Sequence, residues 1–175
     1  RRNIAAHYDL GNDFYQQWLD PTMTYSSAVF PAPNADLSAA QEHKYRLICE
    51  KLDLAPGHRV LEVGCGWGGF ATFAAREYDA RVTAITVSKE QLDFAQARIQ
   101  REGLSDKVEA KLVDYRDLQG RFDRIASIEM FEAVGERYWP QYFGKLRDLL
   151  VPGGRAALQV ITIGDTWFER YQIGR

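Results

Sequence analysis

One stretch of the chain decides its architecture: Glu62-Val63-Gly64-Cys65-Gly66-Trp67-Gly68-Gly69. It follows a short apolar run, Arg59–Val63, and leads into a helical pattern over Phe70–Tyr78. Glycines directly after a buried strand let the backbone turn sharply and approach a ligand without side-chain interference. The string satisfies the dinucleotide pattern G-x-G-x-x-G through Gly64, Gly66 and Gly69, and equally the methyltransferase pattern E-x-G-x-G-x-G. A tight turn with no ligand is the plainer alternative, and the position between strand and helix argues against it.

Working outward, the pattern alternates. Arg81–Thr86 reads as a second strand, followed by a helix over Lys89–Arg101 with Leu92, Ala95 and Ile99 on one face and Gly103 placed to end it. Val108–Val113 and Asp123–Ile128 read as strands three and four. A helix over Trp139–Leu150 carries Tyr142, Phe143, Leu146 and Leu149, with Pro140 in its first turn. Val151-Pro152-Gly153-Gly154 breaks the chain before an apolar strand, Arg155–Ile163. Upstream, Ser38–Leu52 reads as a helix turning Tyr45, Ile48, Cys49 and Leu52 inward. Residues 21–37 read as a surface-crossing loop, and residues 1–20 as an aromatic-rich helical stretch with Phe14, Tyr15, Trp18 and Leu19 on one face. Strands alternating with helices predict an α/β fold with a doubly wound, mostly parallel sheet. The division expected is a lid over 1–37 and a ligand-binding core over 38–175. Both ends read as cut, with further strands expected beyond the C-terminal end.

Bulk properties narrow the partners. The chain has 175 residues, 46% apolar and 26% charged, with a formal net charge of −2. Basic residues are interspersed with acidic ones, so there is no stripe to neutralise nucleic-acid phosphates and no polybasic membrane anchor. No apolar run approaches the roughly 20 residues of a spanning helix. The two cysteines, Cys49 and Cys65, suggest no disulfide framework, and a reducing cytosol is the expected compartment. No His, Cys and carboxylate spacing suggests a metal site. His7 reads as a hydrogen-bonded helix residue, and His43 and His58 as solvated.

The end of the second strand bears on the ligand. A nicotinamide site generally carries an acid about 20 positions beyond its glycines, to hold the ribose hydroxyls. Here the chain reads Ala84-Ile85-Thr86-Val87-Ser88, with no carboxylate. Many methyltransferases also use an acid there, so its absence weakens both readings. Ser88 to Gln91 forms a helix capping box, which starts the helix and can also face a ligand.

The segments His7-Tyr8-Asp9-Leu10-Gly11-Asn12-Asp13-Phe14 and Leu19-Asp20-Pro21-Thr22-Met23-Thr24-Tyr25-Ser26 resemble the opening of cyclopropane-fatty-acid synthases and mycolic acid methyltransferases. VLEVGCGWGG (60–69), AITVSKEQ (84–91), DYRDL (114–118), FDRIASIEMFEAVG (122–135) and VPGGRAALQVITI (151–163) continue the resemblance in order. It implies a class I, Rossmann-like methyltransferase fold and S-adenosylmethionine as cofactor. It also implies a cofactor site made by Tyr25 and Ser26, by Glu62, Gly64, Cys65, Gly66, Trp67 and Gly68, by Thr86, Ser88 and Gln91, and by Tyr115 and Arg116 at the adenine. A threonine at position 86 is normal for such proteins.

The implied reaction is methyl transfer to the double bond of an unsaturated phospholipid acyl chain, with peripheral membrane contact through parts outside this chain. Alkene methylation leaves a carbocation that must lose a proton, so the site needs dryness, π faces and a proton acceptor. The resemblance implies a bound bicarbonate as that acceptor, placed by Glu132 after Phe131, by Ser27, by Gln159 and by the backbone of Ile161. Three residues depart from the pattern: Ser27 stands for cysteine, Ala133 for histidine, and Gln159 for histidine. They put ring closure in doubt and leave a methyl- or methylene-branched product open, in a branch marked by Glu-Ala-Val-Gly. Glu129 reads as a buttress of the loop. The aromatics Phe14, Tyr15, Trp18, Trp139, Tyr142 and Phe143 read as core, with an acyl channel as the alternative. Competing functions are a small-molecule N- or C-methyltransferase, a silent lipid- or cofactor-binding module, and a nicotinamide oxidoreductase.

Overall fold

The computed structural model describes residues 11–168; His7 and the first part of the expected N-terminal helix lie outside them. The elements are α1 (Asn12–Gln16), α2 (Leu37–Lys51), β1 (Arg59–Val63), α3 (Gly69–Tyr78), β2 (Arg81–Thr86), α4 (Lys89–Arg101), β3 (Val108–Leu112), β4 (Phe122–Ile128), α5 (Trp139–Leu149) and β5 (Leu150–Gln159). Two short 3-10 turns, Phe131–Ala133 and Glu136–Tyr138, fill the link from β4 to α5. The five strands form one parallel sheet in the order β3-β2-β1-β4-β5. The order reverses at β1, so the carboxyl ends of β1 and β4 splay into a crevice where such sheets bind ligands.

Strand alternation sends side chains to opposite faces. Val60 and Val82 join one core layer with Ile48 and Cys49 of α2, its C-cap Leu52, and Phe70 and Phe73 of α3. Leu61, Val63, Ile85 and Ile125 join a second with Tyr142, Leu146 and Leu149 from α5. Leu61 and Ile125 are fully buried, and each such side chain contributes about 1.5–3 kcal/mol by leaving water. A third, smaller cluster of Tyr15, Met23 and Trp67 fastens the N-terminal segment to the glycine loop.

Local chemistry explains most boundaries. Asp36 caps α2 by accepting from the Ala39 amide at 2.8 Å, so the helix starts one residue before Ser38. Ser88 caps α4, accepting from the Gln91 amide. The reciprocal half of the expected capping box is absent, because Gln91 Oε1 accepts from the Thr86 hydroxyl at 2.8 Å instead.

Three expectations need correction. The fifth strand begins at Leu150 and ends at Gln159; Pro152 to Gly154 lies inside it as an irregularity between the Phe122–Leu150 and Arg124–Arg155 pairings. The aromatic set is not mainly core: Phe14, Trp18, Trp139 and Phe143 are all more than 40% exposed, while Tyr15 and Tyr142 are buried. The reason is that α1 is only five residues long and lays only Tyr15 inward, while Trp139 and Phe143 stack on the half-buried Phe131 at 5.2 and 5.3 Å. His43 and His58 are half-buried, and His58 Nδ1 accepts from the Ala55 amide at 3.1 Å.

Candidate active site

The crevice over β1, β2 and β4 encloses a cavity of about 440 Å³, a volume suited to a nucleoside-sized ligand. Its floor is the glycine loop, and two glycines there are forced by geometry. Gly64 has φ +80°, and a Cβ on it would stand 2.7 Å from Met130 Cγ. Gly66 has φ +52°, and a Cβ there would meet nothing within 4 Å, projecting instead into open space. Such a cradle lets a ligand lie directly on the backbone. Gly68 lies outside the cavity lining and serves as the N-cap of α3.

Glu62 sits at the base of this loop, 2% exposed, and its Oε2 has no hydrogen-bond partner. Burial pushes its carboxyl well above the usual range, opposed by the Ala71 backbone and by Lys44. An orphaned buried acceptor on a cavity wall fits a ligand that brings a donor or a positive charge. Burial likewise pushes the Cys65 thiol up, which makes it inert. Trp67 is buried; its Nε1 donates to Asn12 Oδ1 at 2.6 Å and its ring packs on Tyr15 at 4.9 Å.

The second strand closes one side. Thr86 Oγ1 donates to Gln91 and accepts from the Ser88 amide at 3.1 Å, so a fixed hydroxyl–amide pair stands where dinucleotide sites carry an acid. Thr86 and Gln91 line the cavity, whereas Ser88 is buried behind them. After β3, Asp114, Tyr115 and Arg116 complete that side. Arg116, expected at the adenine, is tied down beside it: its Nε and Nη2 grip Asp114 at 2.9 and 2.6 Å. That ion pair holds the guanidinium above its ordinary value.

The N-terminal segment forms the roof. Tyr25 is 42% exposed and packs on Tyr15 and Trp18 at 5.5 and 5.3 Å. Ser26 Oγ takes a 2.6 Å bond from Lys44 Nζ, and the Ser26 carbonyl accepts from Gln41. Lys44 is 1% exposed, and burial lowers its pKa to about 8 against the pull of Glu129, Asp20 and Glu62. Arg98 reaches across to donate to the carbonyls of Thr22 and Trp67, tying roof to floor.

The residues expected to hold an anion meet at the ends of β4 and β5, in an arrangement the sequence did not predict. Ser27 contributes its backbone: its amide donates to Glu129 Oε1 at 2.9 Å and its carbonyl accepts from Gln159 Nε2 at 3.2 Å. Gln159 Nε2 also donates to Glu129 Oε1 at 2.8 Å. Glu132 is exposed, stands outside the cavity lining, and accepts from the Ile161 amide. The carboxylate on the cavity wall is that of Glu129. The Ser27 amide, Gln159 Nε2 and the Ile161 amide are each engaged by a protein carboxylate, and a second anion beside two carboxylates is disfavoured. These residues do not fit a free bicarbonate.

Asp114, Glu129 and Lys44 were not singled out as site residues. Asp114 stands in the DYRDL segment and Glu129 three residues before Glu132, so both lay in quoted motifs; nothing in a helix pattern marks Lys44. Among the described residues no group of His, Cys, Asp and Glu could hold a metal ion, and no helix is long and apolar enough to cross a membrane.

Comparison with known proteins places this geometry. The family of mycolic acid cyclopropane synthetases matches residues 1–172. The chain is 51% identical over 153 residues to a probable fatty acid methyltransferase of Pseudomonas putida, covering 86% of this chain and 39% of that protein. It is 46% identical over 173 residues to the cyclopropane-fatty-acyl-phospholipid synthase of Escherichia coli (strain K12), covering 94% and 44%. Among solved structures it is similar to mycolic acid cyclopropane synthase CmaA1 complexed with SAH and CTAB, with a TM-score of 0.84 and 35% identity over 90% of this chain and 54% of that one. The chain thus spans less than half the length of these two curated relatives. On this match the chain belongs to the mycolic acid cyclopropane synthetase family.

Proposed function

We propose that the crevice binds S-adenosylmethionine and that the protein transfers its methyl group to the double bond of an unsaturated fatty acyl chain on a phospholipid. The product would be a cyclopropane or a methyl- or methylene-branched chain. The observation that carries this reading is the charge of the cavity wall. Glu62, Asp114 and Glu129 line it, and its one lining guanidinium, Arg116, is tied to Asp114. A dinucleotide brings a pyrophosphate, for which this wall offers no cation not already tied to a carboxylate; a sulfonium with an α-amino group brings positive charge and donors, which Glu129 and the unpartnered Glu62 oxygen can meet.

The bound cofactor supplies an electrophilic methyl group. The residues of this chain would do the rest. Gly64 and Gly66 give backbone approach, the Thr86–Gln91 pair faces the ribose, and Tyr115 with Asp114 borders the adenine. Tyr25 and Ser26 cover the cofactor from the roof. An alkene attacks through its π pair and needs no base to prepare it, so the site's tasks are to exclude water and to stabilise the cation that forms. The rings of Tyr25, Trp67, Tyr115 and Tyr138 line the cavity and suit that second task. The acyl chain belongs to a bilayer lipid, so the complete protein would work at a membrane surface.

The test is lipid mass spectrometry on cells producing the complete protein, fed methyl-labelled methionine. Labelled acyl chains heavier by one methylene group are the expected result. Label appearing on a small amine and on no lipid would contradict it.

A further inference from the structure

We propose that the Glu129 carboxylate is the anion built into this site in place of a free one, and that it takes the proton released in the reaction. The proposal rests on the methyl-transfer reading above and assigns the acceptor within it. Four observations carry it. Glu129 lines the cavity, whereas Glu132 does not. Glu129 Oε1 sits between the Ser27 amide at 2.9 Å and Gln159 Nε2 at 2.8 Å, donors that would otherwise hold an external anion. Its own backbone is pinned, with the Glu129 amide donating to the Gln159 carbonyl at 2.9 Å. Its φ is +47°, the left-handed region that non-glycine residues rarely occupy and that clusters at functional sites.

The strain has a consequence for the side chain. The left-handed turn comes directly after β4 ends at Ile128, and from it the Glu129 side chain reaches both Ser27 and Gln159. Two donors share Oε1, and Glu129 Oε2 has no part in either bond, leaving lone pairs for a proton.

The bond changes balance without a further reagent. The alkene π pair forms a C–C bond to the donor methyl while the S–CH₃ pair stays on sulfur, giving a thioether. Positive charge then resides on the neighbouring alkene carbon. A C–H bond of the new methyl breaks, its electron pair closes the third ring bond, and the proton goes to Glu129, which becomes a neutral carboxyl and later returns the proton to water. Where a hydride first shifts from the methylated carbon to its cationic neighbour, loss of a proton from the new methyl gives a methylene branch on the open chain instead.

Carbon-13-labelled bicarbonate and S-adenosylhomocysteine serve as probes on the complete protein, as wild type, Glu129→Gln and Glu129→Gly. Glycine is at ease at φ +47°, so the second variant vacates the site without straining the backbone. Wild type is expected to leave the bicarbonate resonance unbroadened and to turn over equally in carbonate-free buffer. Glu129→Gln is expected to lose about 100-fold or more in turnover, with S-adenosylhomocysteine affinity within about threefold of wild type as the check on folding. Glu129→Gly is expected to bind labelled bicarbonate and to regain turnover when it is added. Bicarbonate binding by wild type, or undiminished turnover by either variant in carbonate-free buffer, overturns the proposal. If the binding pattern holds and wild type methylates no lipid, the anion site stands and the lipid reading falls.

Discussion

The two halves of the crevice are built differently. The cofactor half, under β1 and β2, is buried and made from short contiguous segments whose backbones form the surface: Glu62 and Trp67 are each 2% exposed. The half at the ends of β4 and β5 is made by single residues from segments far apart, the side chains of Glu129 and Gln159 meeting each other and the Ser27 backbone. Ser27 meets Glu129 across 102 positions and Gln159 across 132. Backbone cradles suit recognition of a constant cofactor. Side-chain junctions between distant segments suit chemistry that varies, because one substitution changes the acceptor without disturbing the cradle. The departures at 27, 133 and 159 all fall in or beside the second half, and the first keeps its pattern intact.

Substitutions should separate the halves by what they alter. The largest effect is expected from Gly66→Val. It forces a β-branched residue to φ +52° and fills the space left for the ligand, so S-adenosylhomocysteine affinity should fall about 1000-fold or more, roughly 4 kcal/mol, by calorimetry. Unchanged affinity would break the cradle assignment.

Lys44 touches both halves, bonding Ser26 and feeling Glu129 and Glu62. Its folded pKa of about 8 lies below the ordinary lysine value of 10.5. The native state thus sheds this proton first, and the unfolded chain binds more protons between those values. The cost of the buried ammonium is constant below pH 8 and is relieved as pH rises toward 10.5. Compared with Lys44→Met, wild type should gain on the order of 3 kcal/mol of stability over that window in urea titrations. A difference independent of pH would place Lys44 in water. Gln159→Leu removes one donor to Glu129; turnover should drop about 30-fold with cofactor affinity unchanged. Equal loss of both would merge the halves. The smallest effect is expected from Glu62→Gln, about tenfold weaker S-adenosylhomocysteine binding without loss of fold.

The same division explains what the sequence revealed. Glycine loop, capping serine and strand periodicity are local signals, so β1, β2, α4 and the loop were legible nearly to the residue. The sheet edge was less so: Pro152 and Gly153 read as a break, yet tertiary pairing with β4 carries the strand through them. The choice between Glu129 and Glu132 was illegible for a stronger reason. They stand three positions apart just past the same strand, yet Glu129, at a positive φ, lines the cavity while Glu132 is exposed and accepts from the Ile161 amide. Nor did any pattern expose Lys44, whose burial depends on the roof segment folding back over α2.

The most direct test is a crystal structure of the protein with S-adenosylhomocysteine. The account predicts the ligand on the backbone of Gly64 and Gly66, its ribose at Thr86 and Gln91, its adenine beside Asp114 and Tyr115, and its sulfur facing Glu129. An empty crevice, or one that accepts a nicotinamide dinucleotide instead, would contradict it.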